Sequence, residues 1–424
     1  MTIGEHLKVL ETDDKLSPFD VGTYLNLAKS LRVGFELEYW FDDNQYDEVA
    51  ERLKIAEALK VPNEKGKKKL KEISIGMNNL GEEIKTNIEV DAFKEHEDLA
   101  YLYDDGSVPF ELVTTAYEPN VETIYHKLTK IYKTLFKVAK ESFKENEEDG
   151  FYSVPEKRCG QHQTFAFEHQ KSDFPEIVKR NIIQISRLFT PTTIYLFSAG
   201  HPDRFTRDFQ FRQLNKPAYH ISSTEKYRWV NIKSGKIEFR YPDGNMCSML
   251  TAAISVFNRA VIEKAIKFSE FGVLFMKNSF YQTIKDFLFN FVEHNKADEK
   301  YAKENFNFAL QFLSDELKYE EIVLLKALFV KPIWSIKMKN RYGYREWKKL
   351  DDKLYEQYKK AFEKRNKIEK ELRRIVTTSI CGSNKTTQTE KIMKELKGID
   401  NKKLKRKIND CLYWDNKTKV YKMR

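Results

Sequence analysis

The sequence predicts an α+β protein in which an antiparallel sheet is covered by helices and followed by an α-helical C-terminal region. Short segments with period-two alternation recur within the first 270 residues, a pattern typical of strands with one solvated face. Helical periodicity separates these segments and is almost continuous from residue 271 onward. Hydrophobic residues make up 41% of the 424-residue chain, which is enough for a large core.

The composition indicates a soluble protein and argues against a membrane-spanning or secreted protein. Leu250 to Phe257 is among the longest apolar runs, far short of the roughly 18 residues that indicate a membrane span, so we expect no membrane partner. The first six residues lack the features of a signal peptide. The four cysteines form no C-x-x-C pair, which suits a reducing compartment and predicts a cytoplasmic location; they are Cys159, Cys247, Cys381 and Cys411.

Charge divides the chain into an acidic body and a basic end. Residues 331–424 hold 29 Lys+Arg and 12 Asp+Glu, a balance of +17, and the remainder holds 45 and 52, a balance of −7. We predict a catalytic domain over 1–270, a helical extension over 271–330 and a basic helical region over 331–424. That last region is either a solvated charged face or a docking surface for an acidic partner such as nucleic acid.

The first strand sets the pattern for the others. The segment 32–41 alternates, so Glu36 and Glu38 stand about 7 Å apart on one face of a strand. Taken alone, this pair is typical of a half-solvated strand. A short helical lead-in over 1–30, with a helix near 18–30, precedes it, and the charged segment 42–98 reads as a helical insertion on the surface.

Two further strands carry polar residues. Asp105-Gly106 marks a tight turn and Ser107 follows it, before a segment that alternates and carries Glu111. A helix is predicted over 120–145, followed by an alternating run over 158–167 that carries His162. Taken singly, Asp105 and Gly106 are ordinary turn residues. Likewise, His162 taken alone is typical of a histidine on the surface or of one that is hydrogen-bonded in the core.

A hairpin completes the set. Its strands are 227–232 and 237–241, with Glu238 and Arg240 on one face, where they could simply pair across strands. Before it, we predict a helix over 174–189, then a strand and an irregular loop within 192–222. After it come helices over 246–268 and 346–376. The loop carries Arg204, Arg207 and Arg212, candidates for binding phosphate.

The polar residues on these strands indicate a site if one sheet holds all four strands. Four carboxylates in one place repel each other unless cations lie among them, and Mg²⁺ binds oxygen ligands and substrate phosphates together. Arginine grips a phosphoryl oxygen well. Neither a P-loop motif nor G-x-G-x-x-G occurs. The pattern predicts a metal–nucleotide site on a sheet, made of Glu36, Glu38, Glu111, His162, Glu238 and Arg240.

Five motifs here resemble the amidoligase family, relatives of glutamate–cysteine ligase and glutamine synthetase. G-F-E-L-E, D-G-S with a following Glu, C-G-Q-H, Y-R-W-V-N-I and I-E-F-R occur in the family's order across roughly residues 31–260. The resemblance implies a curved antiparallel sheet that forms a glutamine-synthetase-like half-barrel. It also implies ATP-dependent joining of a small-molecule or peptide carboxylate to an amine, through an acyl phosphate, with Mg²⁺ or Mn²⁺.

Carried over by position, the resemblance also implies roles for single residues. Arg240 is the clamp on the transferred phosphoryl group and acts in catalysis with Glu238 and His162. The metal ligands are Glu36, Glu38, Glu111, His162 and Glu238. The cofactor-binding residues are Arg228, Asn231 and Arg240, and the substrate-binding residues are Asp105 and Ser107. Many members read G-x-H-x-H, and this chain has Thr164 at the second histidine.

Two other functions compete with the ligase. The substitution at Thr164 favours a catalytically silent descendant that binds nucleotide or a partner. The basic C-terminal region, with Tyr342, Tyr344 and Trp347 among its lysines and arginines, favours a nucleic-acid-associated protein.

Overall fold

The computed structural model describes the greater part of the chain. The described residues are 7–10, 21–41, 73–77, 83–86, 99–103, 110–142, 151–152, 160–168, 174–197, 230–233, 235–294, 298–330, 344–379, 412–415 and 420–423.

A seven-stranded antiparallel sheet is the centre of the fold, and it contains the four strands that the sequence predicts to carry the site. Its strand order is β5-β6-β2-β8-β10-β9, and the short β7 pairs with the end of β2. The strands of this sheet are β2 (Leu31–Phe41), β5 (Leu99–Tyr103), β6 (Phe110–Thr114), β7 (Phe151–Tyr152), β8 (Gln161–Phe167), β9 (Val230–Lys233) and β10 (Lys236–Phe239).

Three two-stranded sheets and the helices complete the described structure. The small sheets are β1 (Leu7–Leu10) with β11 (Val273–Met276), β3 (Ile73–Met77) with β4 (Glu83–Thr86), and β12 (Leu412–Asp415) with β13 (Val420–Met423). The helices are α1 (Val21–Ala28), α2 (Val121–Ser142), α3 (Glu176–Leu188), α4 (Thr190–Phe197), α5 (Ser248–Phe268), α6 (Asn278–His294), α7 (Glu299–Phe312), α8 (Tyr319–Val330) and α9 (Tyr344–Ser379).

Alternation and turn chemistry produce the sheet. Along β2, Val33, Phe35 and Leu37 are buried in the core, so the intervening residues face the opposite side. The hairpin of β9 and β10 turns at Gly235, whose φ of 76° is a left-handed conformation that favours glycine. The predicted hairpin is therefore confirmed.

Helix α5 fills the core behind the sheet. It is buried along nearly its whole length, including residues on opposite sides of the helix, as expected for a central helix. Helices α1, α2, α3 and α8 all contact it. None of the helices in the described part of the chain combines the length and apolar character needed to cross a membrane.

The start of α9 packs against the start of α5. The Oδ1 atom of Asp351 accepts a hydrogen bond from the backbone N–H of Met249 at 2.6 Å, and the thiol of Cys247 donates to the same oxygen at 3.4 Å. Trp347 is fully buried, and Tyr355 stacks on Tyr125 with 4.1 Å between ring centroids. Thus a carboxylate from a distant segment satisfies a donor at the N-terminus of the central helix.

The chain forms two compact units, residues 1–355 and 356–424. The division lies inside α9, so residues 344–355 belong to the unit that contains the sheet. Strand β11 pairs with β1, so residues 273–276 lie beside the N-terminal strand. The domain boundaries after 270 and 330 stay predictions.

Several segments predicted as helical contain strands. The N-terminal lead-in includes β1, and the insertion over 42–98 contains the paired strands β3 and β4. The C-terminal region contains β12 and β13. Local helical spacing in short segments does not exclude pairing with a distant strand, which sequence periodicity cannot report. The predicted helical spacing around 46–60 lies outside the described residues.

Residues Thr190–Phe197 form α4, where the sequence predicts a strand from residue 192. All eight of its residues are buried, so the segment shows no polar face from which a period could be read. Contacts with α6 and α7 place it among helices. The arginine-rich loop that the sequence predicts after it lies outside the described residues.

We predict that Asp351→Asn changes the pH dependence of stability. Burial raises the pKa of Asp351 from 3.8 to about 6, and Asp352 adds to the rise, while Lys348 and the bonds from Met249 and Cys247 oppose it. A raised carboxyl pKa means that the folded state binds the proton more tightly, so the contribution is complete below pH 4 and is lost as pH rises through 6. The shift corresponds to roughly 3 kcal/mol.

Asparagine keeps an oxygen acceptor and cannot ionise. The free energy of unfolding of Asp351→Asn, relative to wild type, should therefore rise between pH 4 and pH 7. Urea denaturation at both values measures it, with Asp315→Asn, at an exposed aspartate outside α9, as the matched control. A relative stability that falls with pH would mean that the ionised carboxylate stabilises the helix N-terminus instead.

Candidate active site

Strand pairing brings the predicted site residues of β2, β8 and β10 onto one face of the sheet. Glu36 stands opposite His162, and Glu238 stands opposite Thr164. Thr164 in turn stands opposite Gly34. Since residues directly opposite each other in antiparallel strands share a face, these positions lie side by side across three strands.

Three side chains converge to within coordination distance of one another. The Nδ1 atom of His162 lies 2.9 Å from Oε2 of Glu36 and 3.7 Å from Oε1 of Glu238. One ligand atom from each of the three residues lies within 4.8 Å of the others. His162 and Glu238 are buried, and Glu36 is half-buried. We call Glu36, His162 and Glu238 the site triad.

Glu38 lies beside the triad and is anchored by backbone. It is buried, and its Oε2 atom accepts a hydrogen bond from the backbone N–H of Gly160, while its own N–H donates to the Gly160 carbonyl at 3.0 Å. Its Oε1 atom lies 3.8 Å from Nε2 of His162. Glu111 stands opposite Glu38 in the register of β2 and β6, which places it at the same end of the face.

Each oxygen of Glu238 has its own partner. The side-chain amide of Asn231 donates to Oε2 at 3.0 Å, and Nη1 of Arg240 donates to Oε1 at 2.6 Å. Asn231 is fully buried, so its amide holds the carboxylate at a fixed angle. Arg240 follows the last residue of β10 and is half-buried. The carboxylate is thus oriented from two sides.

A buried polar layer lies on the other face of β8. The Gln161 amide donates to Oγ1 of Thr251 on α5 at 2.7 Å. The Oε1 atom of Gln163 accepts from Oγ of Ser255 at 3.2 Å and from Nδ2 of Asn258 at 3.1 Å, both on α5. Buried amides are tolerated when their hydrogen bonds are made, so this layer fixes β8, and with it His162, against α5.

The segment that follows β10 extends this layer. The Asn245 amide donates to Oε1 of Gln161 at 2.9 Å, and the backbone N–H of Cys247 donates to Oδ1 of Asn245 at 3.0 Å. The Tyr241 hydroxyl donates to Oδ1 of Asn258. Burial raises the pKa of this tyrosine well above its ordinary value, so the hydroxyl keeps its proton and remains a donor.

The donor set fits a divalent cation. Two carboxylates and one imidazole suit Mn²⁺ better than Mg²⁺, because Mg²⁺ prefers oxygen ligands and imidazole suits transition metals. Carboxylate oxygens of Glu36, Glu38 and Glu238 lie 2.9, 3.8 and 3.7 Å from ring nitrogens of His162, and Arg240 bonds to Glu238. Three carboxylates this close together repel one another, which favours a cation among them.

The predicted residues fall into three groups. Those brought together are Glu36, Glu38, His162, Glu238, Arg240 and Asn231. Glu111 is placed by its register position in the backbone. Asp105, Ser107 and Arg228 lie outside the described residues, so their predicted roles stay predictions.

Sequence reasoning missed the residues that support the triad from behind. Gln161, Gln163 and Asn245 are fully or almost fully buried, and α5 contributes Thr251, Ser255 and Asn258. One signal was available: β8 is polar at alternate positions on its inner face, where an apolar residue is the usual choice.

Comparison with protein-family models gives no match, and comparison with curated proteins gives none either. Similar solved structures include a bifunctional glutathione synthetase from Pasteurella multocida, at 12% identity and a TM-score of 0.40, over 80% of this chain and 53% of that chain. This chain therefore spans about half the length of that protein.

A second similar structure is the complex between the prokaryotic ubiquitin-like protein Pup and its ligase PafA. It is similar at 12% identity and a TM-score of 0.36, over 90% of this chain and 72% of that chain. Both TM-scores lie below 0.5.

We predict that Mn²⁺ alone raises the melting temperature of the protein and that Glu36→Gln and Glu238→Gln abolish the rise. Each variant removes one ligand charge and keeps the side-chain shape. A ligand that binds only the folded state stabilises it in proportion to occupancy. Thermal denaturation with Mn²⁺ or with chelator measures the shift.

Glu176→Gln is the matched control, since Glu176 is a half-buried glutamate that pairs with Arg180 on α3. It should leave the Mn²⁺ shift intact. Without Mn²⁺, Glu36→Gln should melt no lower than wild type, because removing one carboxylate relieves repulsion. Glu238→Gln also loses its ion pair with Arg240, so only its Mn²⁺ shift is compared with that of wild type. If Glu36→Gln melts several degrees lower, its carboxylate is structural and the half-solvated-strand interpretation is correct.

Proposed function

We propose that the protein is an ATP-dependent carboxylate–amine ligase that forms an amide or peptide bond through an acyl phosphate. The observation that carries this proposal is the site triad with Arg240 attached: three acidic or imidazole ligands and one guanidinium on one sheet face. This combination suits a metal–triphosphate substrate. The sequence motifs that resemble amidoligases supply the reaction class.

The first step activates the carboxylate. A carboxylate oxygen attacks the γ-phosphorus of ATP, the bond to the bridging oxygen breaks, and ADP leaves. Because the transition state spreads negative charge over the equatorial oxygens, a preorganised guanidinium stabilises it. Arg240 is proposed to donate to these oxygens, and Asn231 to keep Glu238 in position beside it.

The second step forms the amide. The amine nitrogen attacks the acyl carbon, inorganic phosphate leaves, and a base takes the proton from the nitrogen. Phosphate is a far better leaving group than oxide, which is why ATP is consumed. A divalent cation held by Glu36, His162 and Glu238, with Glu38 and Glu111 nearby, would supply charge neutralisation for the phosphates.

The remaining predictions complete the proposal. The sheet is proposed to curve into the glutamine-synthetase-like half-barrel. Asp105 and Ser107 are proposed to contact substrate and Arg228 to contact nucleotide, and the protein is proposed to act in the cytoplasm. An acidic partner or nucleic acid at residues 331–424, and the catalytically silent alternative, stay predictions.

We predict that hydroxylamine traps the acyl phosphate as a hydroxamate. With ATP, Mg²⁺ or Mn²⁺, hydroxylamine and a suitable carboxylate, hydroxamate and ADP should form together. Amino acids, γ-glutamyl compounds and short acidic peptides are the first carboxylates to test. Arg240→Ala should lower the rate by on the order of a hundredfold or more, because preorganised charge stabilisation is lost. Colorimetry of the iron hydroxamate, coupled to ADP quantification, measures both products.

Two variants control this experiment. Arg240→Lys should restore little of the wild-type rate, because an ammonium group cannot donate two parallel hydrogen bonds to two oxygens in one plane. Arg180→Ala removes an arginine from a surface pair on α3 and should keep the wild-type rate. Release of AMP and pyrophosphate in place of ADP would mean adenylation and would contradict the proposed mechanism.

A further inference from the structure

Arg240 and a divalent cation would compete for the same atom. The guanidinium Nη1 lies 2.6 Å from Oε1 of Glu238. That oxygen is also the one that faces the triad, 3.7 Å from Nδ1 of His162. The other oxygen is held by Asn231 at 3.0 Å. One oxygen of Glu238 is therefore bonded to the buried amide of Asn231. The other oxygen is the one that both the Arg240 guanidinium and a divalent cation would bind.

The two positive groups are poorly compatible at this oxygen. A coordinated cation lies about 2.0–2.6 Å from a carboxylate oxygen, so it would lie close to the guanidinium. Arginine cannot relieve the repulsion by losing its proton, because its guanidinium stays charged in proteins. The side chain must move instead.

The position of Arg240 permits that movement. It follows β10, which ends at Phe239, so it lies just outside the hydrogen-bonded ladder. Its side chain keeps 19% of its surface exposed, against 11% for Glu238. Glu238, by contrast, is within the strand and is held by Asn231. The guanidinium is thus the less constrained partner of the pair.

We propose that Arg240 is the internal counter-ion of Glu238 and that a divalent cation displaces it, which frees the guanidinium to bind a phosphoryl oxygen. This rests on the proposed function, since it takes the triad to be a metal site. The proposal implies an order of binding: the cation binds to Glu238 first, and Arg240 then binds a phosphate of the nucleotide. The arginine then contacts phosphate only when the charge of Glu238 is neutralised by the metal.

Mn²⁺ affinity without nucleotide tests the proposal. Arg240→Gln removes the competitor, so it should bind Mn²⁺ more tightly than wild type, by roughly tenfold or more, the scale of coupling between close charges. The same variant should bind Mn²⁺-ATP more weakly, because the phosphate contact is lost. A purely structural arginine would not change the two affinities in opposite directions. Calorimetry and the electron paramagnetic resonance of free Mn²⁺ measure both.

Arg32→Gln is the matched control for net charge. Arg32 lies on β2, four residues before Glu36, and pairs with Glu168 at 2.6 Å. The Arg32→Gln variant loses the same charge at a position away from Glu238, so its Mn²⁺ affinity should stay near the wild-type value. Arg240→Lys keeps a positive charge and should also bind Mn²⁺ close to wild type, which separates the effect of charge from that of any change in packing.

Two results would contradict the proposal in distinguishable ways. If wild type binds Mn²⁺ and Arg240→Gln binds it equally or less tightly, the displacement is wrong and the proposed metal site survives. If neither wild type nor Arg240→Gln binds Mn²⁺, the metal site in the proposed function is wrong, and the displacement with it. Circular dichroism of each variant establishes that it is folded.

Discussion

Strand β8 has polar side chains on both faces, and the hydrogen bonds on its buried face determine where its other face points. Gln161 and Gln163 are completely buried and bond to Thr251, Ser255 and Asn258 of α5. A buried amide left without partners is costly, so the strand cannot slip or rotate relative to the helix. Because β2 and β10 both pair with β8, the positions of their glutamates follow from the same constraint.

On the opposite face, each carboxylate has its own hydrogen-bond partner. Glu36 contacts His162, Glu238 contacts Arg240, and Glu38 accepts from the backbone of Gly160. Three carboxylates can therefore stand close together because each already has a donor. Such a site is poised between internal pairing and ligand binding, since a cation or phosphate exchanges one set of partners for another.

The central helix connects this site to the C-terminal part of the first unit. Its N-terminus receives Asp351 from α9 and the side chain of Asn245 from the segment after β10. Burial also raises the pKa of the Cys247 thiol well above its ordinary value, and this keeps the thiol protonated as a donor to Asp351. The start of α9 is thus part of the supporting structure of the sheet, although the sequence groups it with the basic C-terminal region.

The sequence by itself determined the strands that carry the site and the residues that face together on them. Period-two alternation places Glu36 and Glu38 on one face of β2, and Gly235 sets the turn that brings β9 beside β10. These features are local, because side-chain direction and turn conformation depend on neighbouring residues. The register across strands, which sets Glu36 opposite His162, required the folded sheet.

Only the tertiary structure decided which segments pair over long distances and which polar groups support the site. Strand β1 finds β11 more than 260 residues away, and the wholly buried Thr190–Phe197 becomes a helix among helices. Likewise Gln163 meets Asn258, and Asp351 meets Met249, through contacts that no periodicity encodes. Local patterns report which face a residue occupies, but the partner that satisfies a buried polar group depends on packing between distant elements.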